Sequence, residues 1–337
     1  MTESTEVTTT GLIDNEDDLF CAHVLNHGEF RESGCDMVHY VANYLETIEN
    51  RKVFPVILPG YMAPLLPKEA PKDPESWEEI MLDIERVIMP GITHWQHPHF
   101  HAYFPAGTSY PSMCADILTN GIGCIGFTWA SSPACTELEV VMMDWLAKML
   151  QLPEQFLSGG NGGGVIQGSC SESTLVALFG ARNVAIRKYQ QQHPEASVYD
   201  AASKLVGYYS DQAHSSVERA GLISMLRLRP IRTGSTHELI GIDLRTAIEE
   251  DVSNGFMPFF CVATLGTTAS CAFDRLQEIG PVCEQYDIWL HVDAAYSGSS
   301  FICPEYRVLL TGIEYAMSFV FNPHKWLLVN FDCSCVW

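Results

Sequence analysis

Three polar residues sit where apolar runs give way to small or turn-forming ones. They are His214 in Gln212-Ala213-His214-Ser215-Ser216, Asp293 in His291-Val292-Asp293-Ala294-Ala295-Tyr296, and Lys325 in Phe321-Asn322-Pro323-His324-Lys325-Trp326. An imidazole, a carboxylate and an amine in that order suit pyridoxal phosphate. Its aldehyde needs a lysine to form a Schiff base, and its pyridine nitrogen needs a carboxylate to stay protonated. The protonated ring is then an electron sink. Asp293 ends an apolar strand, where open α/β sheets bind ligands, and the small Ala295 leaves room for a ring face. His214, read as a buried ring between small neighbours, suits stacking on a flat cofactor or meeting a substrate carboxylate. Singly, each residue also fits a plain role: solvated lysine, turn aspartate, core histidine.

A glycine run over 159–164 precedes Ser169-Cys170-Ser171-Glu172-Ser173-Thr174, and an apolar helix is expected over 175–189. Small residues opening a helix point several free N–H groups at an anion, and the helix dipole adds to the attraction. Cys170 and Ser171 are therefore expected against a cofactor phosphate, with Asn322 and His324 within reach of it. The plain alternative is a helix capped by Ser171 or Ser173. The run from His94 to His101 holds four histidines. In an extended chain His97, His99 and His101 would share one face, as metal ligands do. Trp95, Phe100, Tyr103 and Phe104 instead make it an aromatic wall with no carboxylate nearby, which favours a substrate pocket.

The elements around these residues follow from periodicity. From Phe30 onward, Met37, Val38, Val41, Tyr44 and Leu45 recur at helical spacing. A proline-rich crossing over 55–74 and a helix over 76–87 follow. Two helices joined by an extended arm have no obvious core of their own, which points to an obligate homodimer. Farther on, a helix over 133–150 is expected to bury Leu138, Val141, Met142, Trp145 and Met149. Apolar runs over 205–210, 259–265, 289–292 and 316–321 read as strands, with helices between them such as 274–286. That alternation predicts an α/β fold with a largely parallel sheet covered on both faces. The expected domains are an acidic tail (1–28), a helical arm domain (29–107) and a cofactor-binding large domain (108–337).

Bulk properties narrow the partners. At 337 residues, 47% hydrophobic and 18% charged, the chain holds a substantial core. A net charge of −22 repels phosphate backbones and anionic lipid, so neither nucleic acid nor a membrane surface is an expected partner. The acidic start lacks the basic and apolar regions of a secretory signal. The twelve cysteines are scattered, with no C-x-x-C pair. They fit a reducing, cytoplasmic setting better than a metal or disulfide framework.

Taken together, the residues from about Phe30 to Trp337 resemble the group II pyridoxal-phosphate decarboxylases, most closely the aromatic-L-amino-acid (DOPA) decarboxylase family. The stretches that carry the resemblance include Ile92-Thr93-His94-Trp95, Cys124-Ile125-Gly126-Phe127-Thr128-Trp129 and Cys135-Thr136-Glu137-Leu138-Glu139. Residues 211–221, 263–268 and 322–333 carry it too. The resemblance implies a fold-type I, aspartate aminotransferase-like large domain and an N-terminal helical segment that packs on a second subunit. It implies pyridoxal 5'-phosphate as cofactor, with Lys325 as the Schiff-base lysine, Asp293 the pyridinium partner and His214 the stacking residue. Ser169, Cys170, Ser171, Asn322 and His324 would fall at the phosphate, and Thr268 and Ala295 beside the ring. Trp95, Tyr103, Phe104, Pro105, Ala106, Phe127 and Phe331 would line the substrate pocket.

The implied reaction is decarboxylation of DOPA, 5-hydroxytryptophan or tyrosine. DOPA-type enzymes commonly have threonine at the position of Ala106, whereas tyrosine and histidine decarboxylases resemble this chain there, so histidine is the alternative substrate. His324 and the Asp211-Gln212-Ala213-His214 run look more like the DOPA type. Retention of His214 favours plain decarboxylation over the related aromatic acetaldehyde synthases, whose animal members typically carry asparagine there. Cys170 stands in place of a usual alanine. The family pattern continues past Trp337 with a mobile tyrosine-bearing loop and a C-terminal domain. The chain is therefore expected to be a fragment, or a truncated form that binds cofactor or a full-length partner without turnover.

Overall fold

The computed structural model describes residues 26–337. Most of the expected acidic tail lies outside the described residues, but its last two positions are already helical. Asn26 accepts hydrogen bonds from the backbone N–H groups of Gly28 and Glu29 and so caps helix α1, His27–Glu46. The helix thus starts three residues before Phe30.

The chain divides into two compact units, one running to His101 and the other from Ala102 to Trp337. In the first, α1 buries no residue fully. Ser76 and Glu79 form a reciprocal capping box at the start of α2, Trp77–Asp83, which continues as one wider turn, Ile84–Ile88. Glu85 links the helices, accepting from Tyr40 Oη at 2.7 Å and Arg51 at 2.9 Å. The histidine run is not extended. Turn hydrogen bonds from His97 N to His94 O and from Phe100 N to His97 O fold it up, so His97, His99 and His101 share no strand face. Pro98 favours that turn over a strand.

The second unit is built on a seven-stranded sheet in the order β1-β7-β6-β5-β4-β2-β3. The strands are β1 Val165–Gln167, β2 Leu205–Ser210, β3 Arg227–Ile231, β4 Met257–Thr264, β5 Trp289–Asp293, β6 Ser318–Phe321 and β7 Ser334–Val336. The five strands β3, β2, β4, β5 and β6 run parallel, and β7 pairs antiparallel with both β6 and β1. In chain order the helices are α3 Tyr110–Ile122, α4 Pro133–Leu150, α5 Cys170–Gln192, α6 Val198–Lys204, α7 Ser215–Ser224, α8 Gly241–Ser253, α9 Leu276–Gln285 and the short α10 Pro323–Trp326. Strand residues alternate between two cores. Val206, Tyr208, Cys261, Ala263, Leu290 and Val292 pack with α4, α8 and α9, while Leu205, Tyr209, Phe260 and Val262 pack with α5, α6 and α7. Near-continuous apolar strands are what a doubly covered parallel sheet requires.

One expectation about packing is overturned. On α4 the buried residues are Met143, Ala147 and Leu150; Leu138 and Trp145 are 60% and 58% exposed, and Val141 and Met149 are also exposed. Both sides of this helix are apolar, so periodicity alone cannot say which one the sheet takes. The sheet takes the side with alanine, which permits closer approach.

Candidate active site

The site is built at the C-terminal edge of the parallel strands. Pairing of Thr264 with Asp293 and of Asp293 with Val320 brings the ends of β4, β5 and β6 level. The loops after them carry Thr268, Ala295 and the stretch Asn322 to Lys325, and the loop after neighbouring β2 carries His214. Backbone hydrogen bonds from Ala294 N to Val320 O (2.9 Å) and from Asn322 N to Ala295 O (3.1 Å) lock the β5 and β6 loops side by side.

Helix α5 starts at this same edge. Ser169 is its cap: its Oγ accepts from Glu172 N at 3.2 Å, and Glu172 returns the bond by accepting from Ser169 N at 3.0 Å. The cap is therefore Ser169, not Ser171 or Ser173, and the helix begins at Cys170 rather than 175. Among the described residues no hydrogen bond takes the N–H groups of Cys170 or Ser171, and the Ser171 side chain is exposed beside them. First-turn amides of a long helix attract anions.

Asp293 is 3% exposed. Its Oδ1 accepts from Ala295 N at 3.0 Å and from Cys170 Sγ at 3.3 Å. The sulfur thus joins the start of α5 to the end of β5. Burial first, and the Asp293 charge second, push the Cys170 thiol well above its ordinary range, so it keeps its proton and donates. Two residues back, buried His291 lies between Thr174 Oγ1 (3.4 Å) and Ser318 Oγ (2.8 Å), and burial lowers it to about 4.

His324 is buried, and its Nδ1 accepts from Cys333 N at 2.7 Å. Burial and the adjacent Lys325 charge lower its pKa, so the ring is neutral with its proton on Nε2. Its carbonyl accepts from Gly107 N at 2.5 Å. A Cβ at Gly107 would stand 3.1 Å from that oxygen and from Leu328 backbone, so only glycine fits this approach comfortably. Asn322 is buried, and its Oδ1 has no hydrogen-bond partner among the described residues.

Lys325 is half-buried, with Nζ 4.9 Å above the Phe104 ring. Phe104 stacks on Tyr296 (3.9 Å between centroids), which stacks on Trp326 (4.9 Å). Sequence reasoning found Phe104 but not Tyr296 or Trp326. The usable signal was their adjacency, Tyr296 three residues beyond Asp293 and Trp326 next to Lys325.

The remaining expected residues divide. His214 is exposed, not buried, because it opens α7 at the sheet edge; its Nδ1 accepts from Ser216 N at 3.2 Å as the helix cap. Thr268 and Pro105 are exposed and Ala106 half-buried. Tyr103 and Phe127 are 83% and 79% exposed, and Phe331 keeps a ring contact with His324 at 4.5 Å. Trp95 belongs to the first unit, 4.6 Å from Phe100. Also in that unit, His94 Nδ1 is taken by Tyr44 Oη at 2.7 Å and His97 Nδ1 by His99 N at 3.0 Å. No three metal-ligating side chains converge among the described residues.

The donor set matches pyridoxal phosphate. One amine, one buried carboxylate, a helix start with free amides and a neutral imidazole share one edge.

Comparison with known proteins agrees. The pyridoxal-dependent decarboxylase conserved domain matches residues 59–337. Aromatic-L-amino-acid decarboxylase of Manduca sexta is 59% identical over 315 residues, covering 93% of this chain and 62% of the relative. That of Cavia porcellus is 60% identical, covering 93% and 66%. The chain thus spans slightly less than two thirds of these curated relatives. Among solved structures, Rhodiola rosea 4-hydroxyphenylacetaldehyde synthase superposes with TM-score 0.88 at 41% identity, covering 93% of this chain and 66% of that one. Catharanthus roseus tryptophan decarboxylase, in complex with L-tryptophan, gives 0.86 at 40%, covering 93% and 65%. With that domain matched over residues 59–337 and a curated relative 60% identical, this chain belongs to the pyridoxal-dependent decarboxylase family.

Proposed function

We propose that the chain is the cofactor-binding part of an enzyme that decarboxylates an aromatic L-amino acid to its amine. The observation that carries this reading is the gathering of Lys325, Asp293 and the open start of α5 at one sheet edge, in a chain about 60% identical to aromatic-L-amino-acid decarboxylases. When bound, pyridoxal phosphate supplies a protonated ring that accepts the electron pair left at Cα as carbon dioxide departs.

The chain's own residues divide the remaining tasks. Lys325 holds the cofactor through its amine. Asp293 keeps the proton on the ring nitrogen, and the buried setting strengthens that pairing. The first-turn amides of α5, with Ser169, Ser171, Asn322 and the His324 Nε2–H, hold the phosphate. Thr268 and Ala295 border the ring. His214, whose Nδ1 is committed to Ser216, presents its ring and Nε2–H over the open face, where it orients the substrate carboxylate. Tyr103, Phe104, Pro105, Ala106, Phe127 and Phe331 receive the substrate's side chain. A homodimer is part of this reading, supported by the exposed apolar residues of α1 and α4. So is a reducing cytoplasmic setting, since the described cysteines are free thiols. No helix among the described residues is long and apolar enough to cross a membrane.

Borohydride reduction of the protein after incubation with pyridoxal phosphate, followed by peptide mapping, tests the site. A pyridoxyl group on the Lys325 peptide is expected; label elsewhere, or none, overturns the assignment. Amine release from DOPA, 5-hydroxytryptophan, tyrosine and histidine tests the substrate class, and histidine as the sole substrate would reject the aromatic reading.

A further inference from the structure

Cys170 is the first residue of helix α5. It is 8% exposed and packed among Val320, Val336 and Ala295. Its only hydrogen-bond acceptor among the described residues is Asp293 Oδ1, at 3.3 Å. Ala295 N donates to that same oxygen at 3.0 Å. No hydrogen bond among the described residues falls on Oδ2. A carboxylate oxygen has room for about two donors, so Oδ1 is filled and Oδ2 is the oxygen left for an incoming N–H.

We propose that Cys170 is a positioning residue: its S–H, together with the Ala295 N–H, anchors Asp293 through Oδ1 and so presents Oδ2 to the cofactor's ring nitrogen. This rests on the cofactor reading above. A buried thiol and one backbone amide share Oδ1. The thiol does so from the first residue of α5, the turn whose amides receive the phosphate. One side chain thereby sets the distance between the phosphate end and the ring-nitrogen end of the site.

The thiol can be read directly by its infrared S–H stretching band, assigned by its loss in Cys170→Ala. The band is expected to be red-shifted relative to an unbonded thiol and to move back in Asp293→Asn. The second reading is the dissociation constant for pyridoxal phosphate, followed by protein fluorescence. Cys170→Ala should weaken it about five-fold, the loss of one hydrogen bond, and Cys170→Ser, which restores a donor, should recover most of that. An unshifted S–H band overturns the proposal. So does equal affinity in the parent and Cys170→Ala, or failure of serine to rescue. Failure of the parent itself to take up pyridoxal phosphate is a separate result: it rejects the cofactor reading, and the positioning role with it, while the band still reports whether the thiol bonds to Asp293.

Discussion

At the scale of single residues, the site works by commitment. His324 illustrates this: Cys333 N–H occupies Nδ1, so the only proton the ring can offer is on Nε2. A neutral histidine fixed in one tautomer is a directional donor, and directional donors are what a phosphate needs. His324→Ala removes that donor and also strands Cys333 N–H. A hydrogen bond to a charged group contributes about 1.5–3 kcal/mol, so cofactor affinity should fall at least ten-fold, as measured by equilibrium dialysis. An unchanged affinity would remove His324 from the phosphate end. Ala106 makes a different kind of prediction. Ala106→Thr adds a hydroxyl at a position proposed to receive the substrate's side chain. It should shift kcat/KM toward ring-hydroxylated substrates by about five-fold, the worth of one neutral hydrogen bond. Parallel assays on DOPA and tyrosine would show it, and an unaltered ratio would mean the residue does not face the substrate ring.

Elements are held in place by buried polar groups at their ends, and these make stability depend on pH. Asp274 sits before α9 and accepts from Leu239 N and from Thr264 N, each at 2.7 Å, which ties the end of β4 to the approach to α8. Burial raises it from an ordinary 3.8 to about 7, against the pull of those two amides. The folded chain therefore keeps a proton that the unfolded chain releases, and the contribution of Asp274 to stability is lost as pH rises from about 4 toward 7. His291 acts in the opposite sense. Burial lowers it from 6.5 to about 4, so its contribution is present above 6.5 and lost as pH falls toward 4. The two slopes oppose each other over their shared window. Asp274→Asn removes one of them, so the variant's stability should climb more steeply with pH than the parent's across that window, as read by denaturant unfolding at its two ends. At neutral pH it should also cost about 1–3 kcal/mol, because an amide NH2 would face a backbone N–H. Parallel slopes in the two proteins would show that Asp274 does not titrate there. The central strands and their loop residues were legible in the sequence because a parallel sheet needs long apolar runs, and Asp293 and Lys325 interrupt the pattern just past them. Strands β1 and β3 were not legible. β1 is three residues long, and β3, Arg227–Ile231, is an edge strand with two arginines and a proline. Helix α5 starts five residues before the apolar period that marks it in the sequence, since a capping box followed by small residues carries none until Leu175.

At the scale of the whole molecule, the question is what covers the apolar surface that a single chain leaves open. Phe30 and Val38 on α1, and Leu138, Val141, Trp145 and Met149 on α4, are all exposed. Ile117, Leu118 and Ile122 on α3 are too. Apolar side chains scattered singly are ordinary, but α3 and α4 expose most of their large ones. With a net charge of −22, loose association between copies is opposed electrostatically, so any self-association must be driven by close apolar packing. Each Leu or Trp withdrawn from water contributes roughly 2 kcal/mol, and twofold symmetry doubles every such contact. The double variant Leu138→Asp, Trp145→Asp should therefore convert a dimer to monomer without harming the core, since Met143, Ala147 and Leu150 hold α4 to the sheet from its other side. Sedimentation equilibrium on the parent and the variant gives the answer. A dimeric parent and a monomeric, folded variant are expected. A variant that stays dimeric would put the contact on a different face of the molecule, and a monomeric parent would mean that the open faces of these helices are not covered by a second copy.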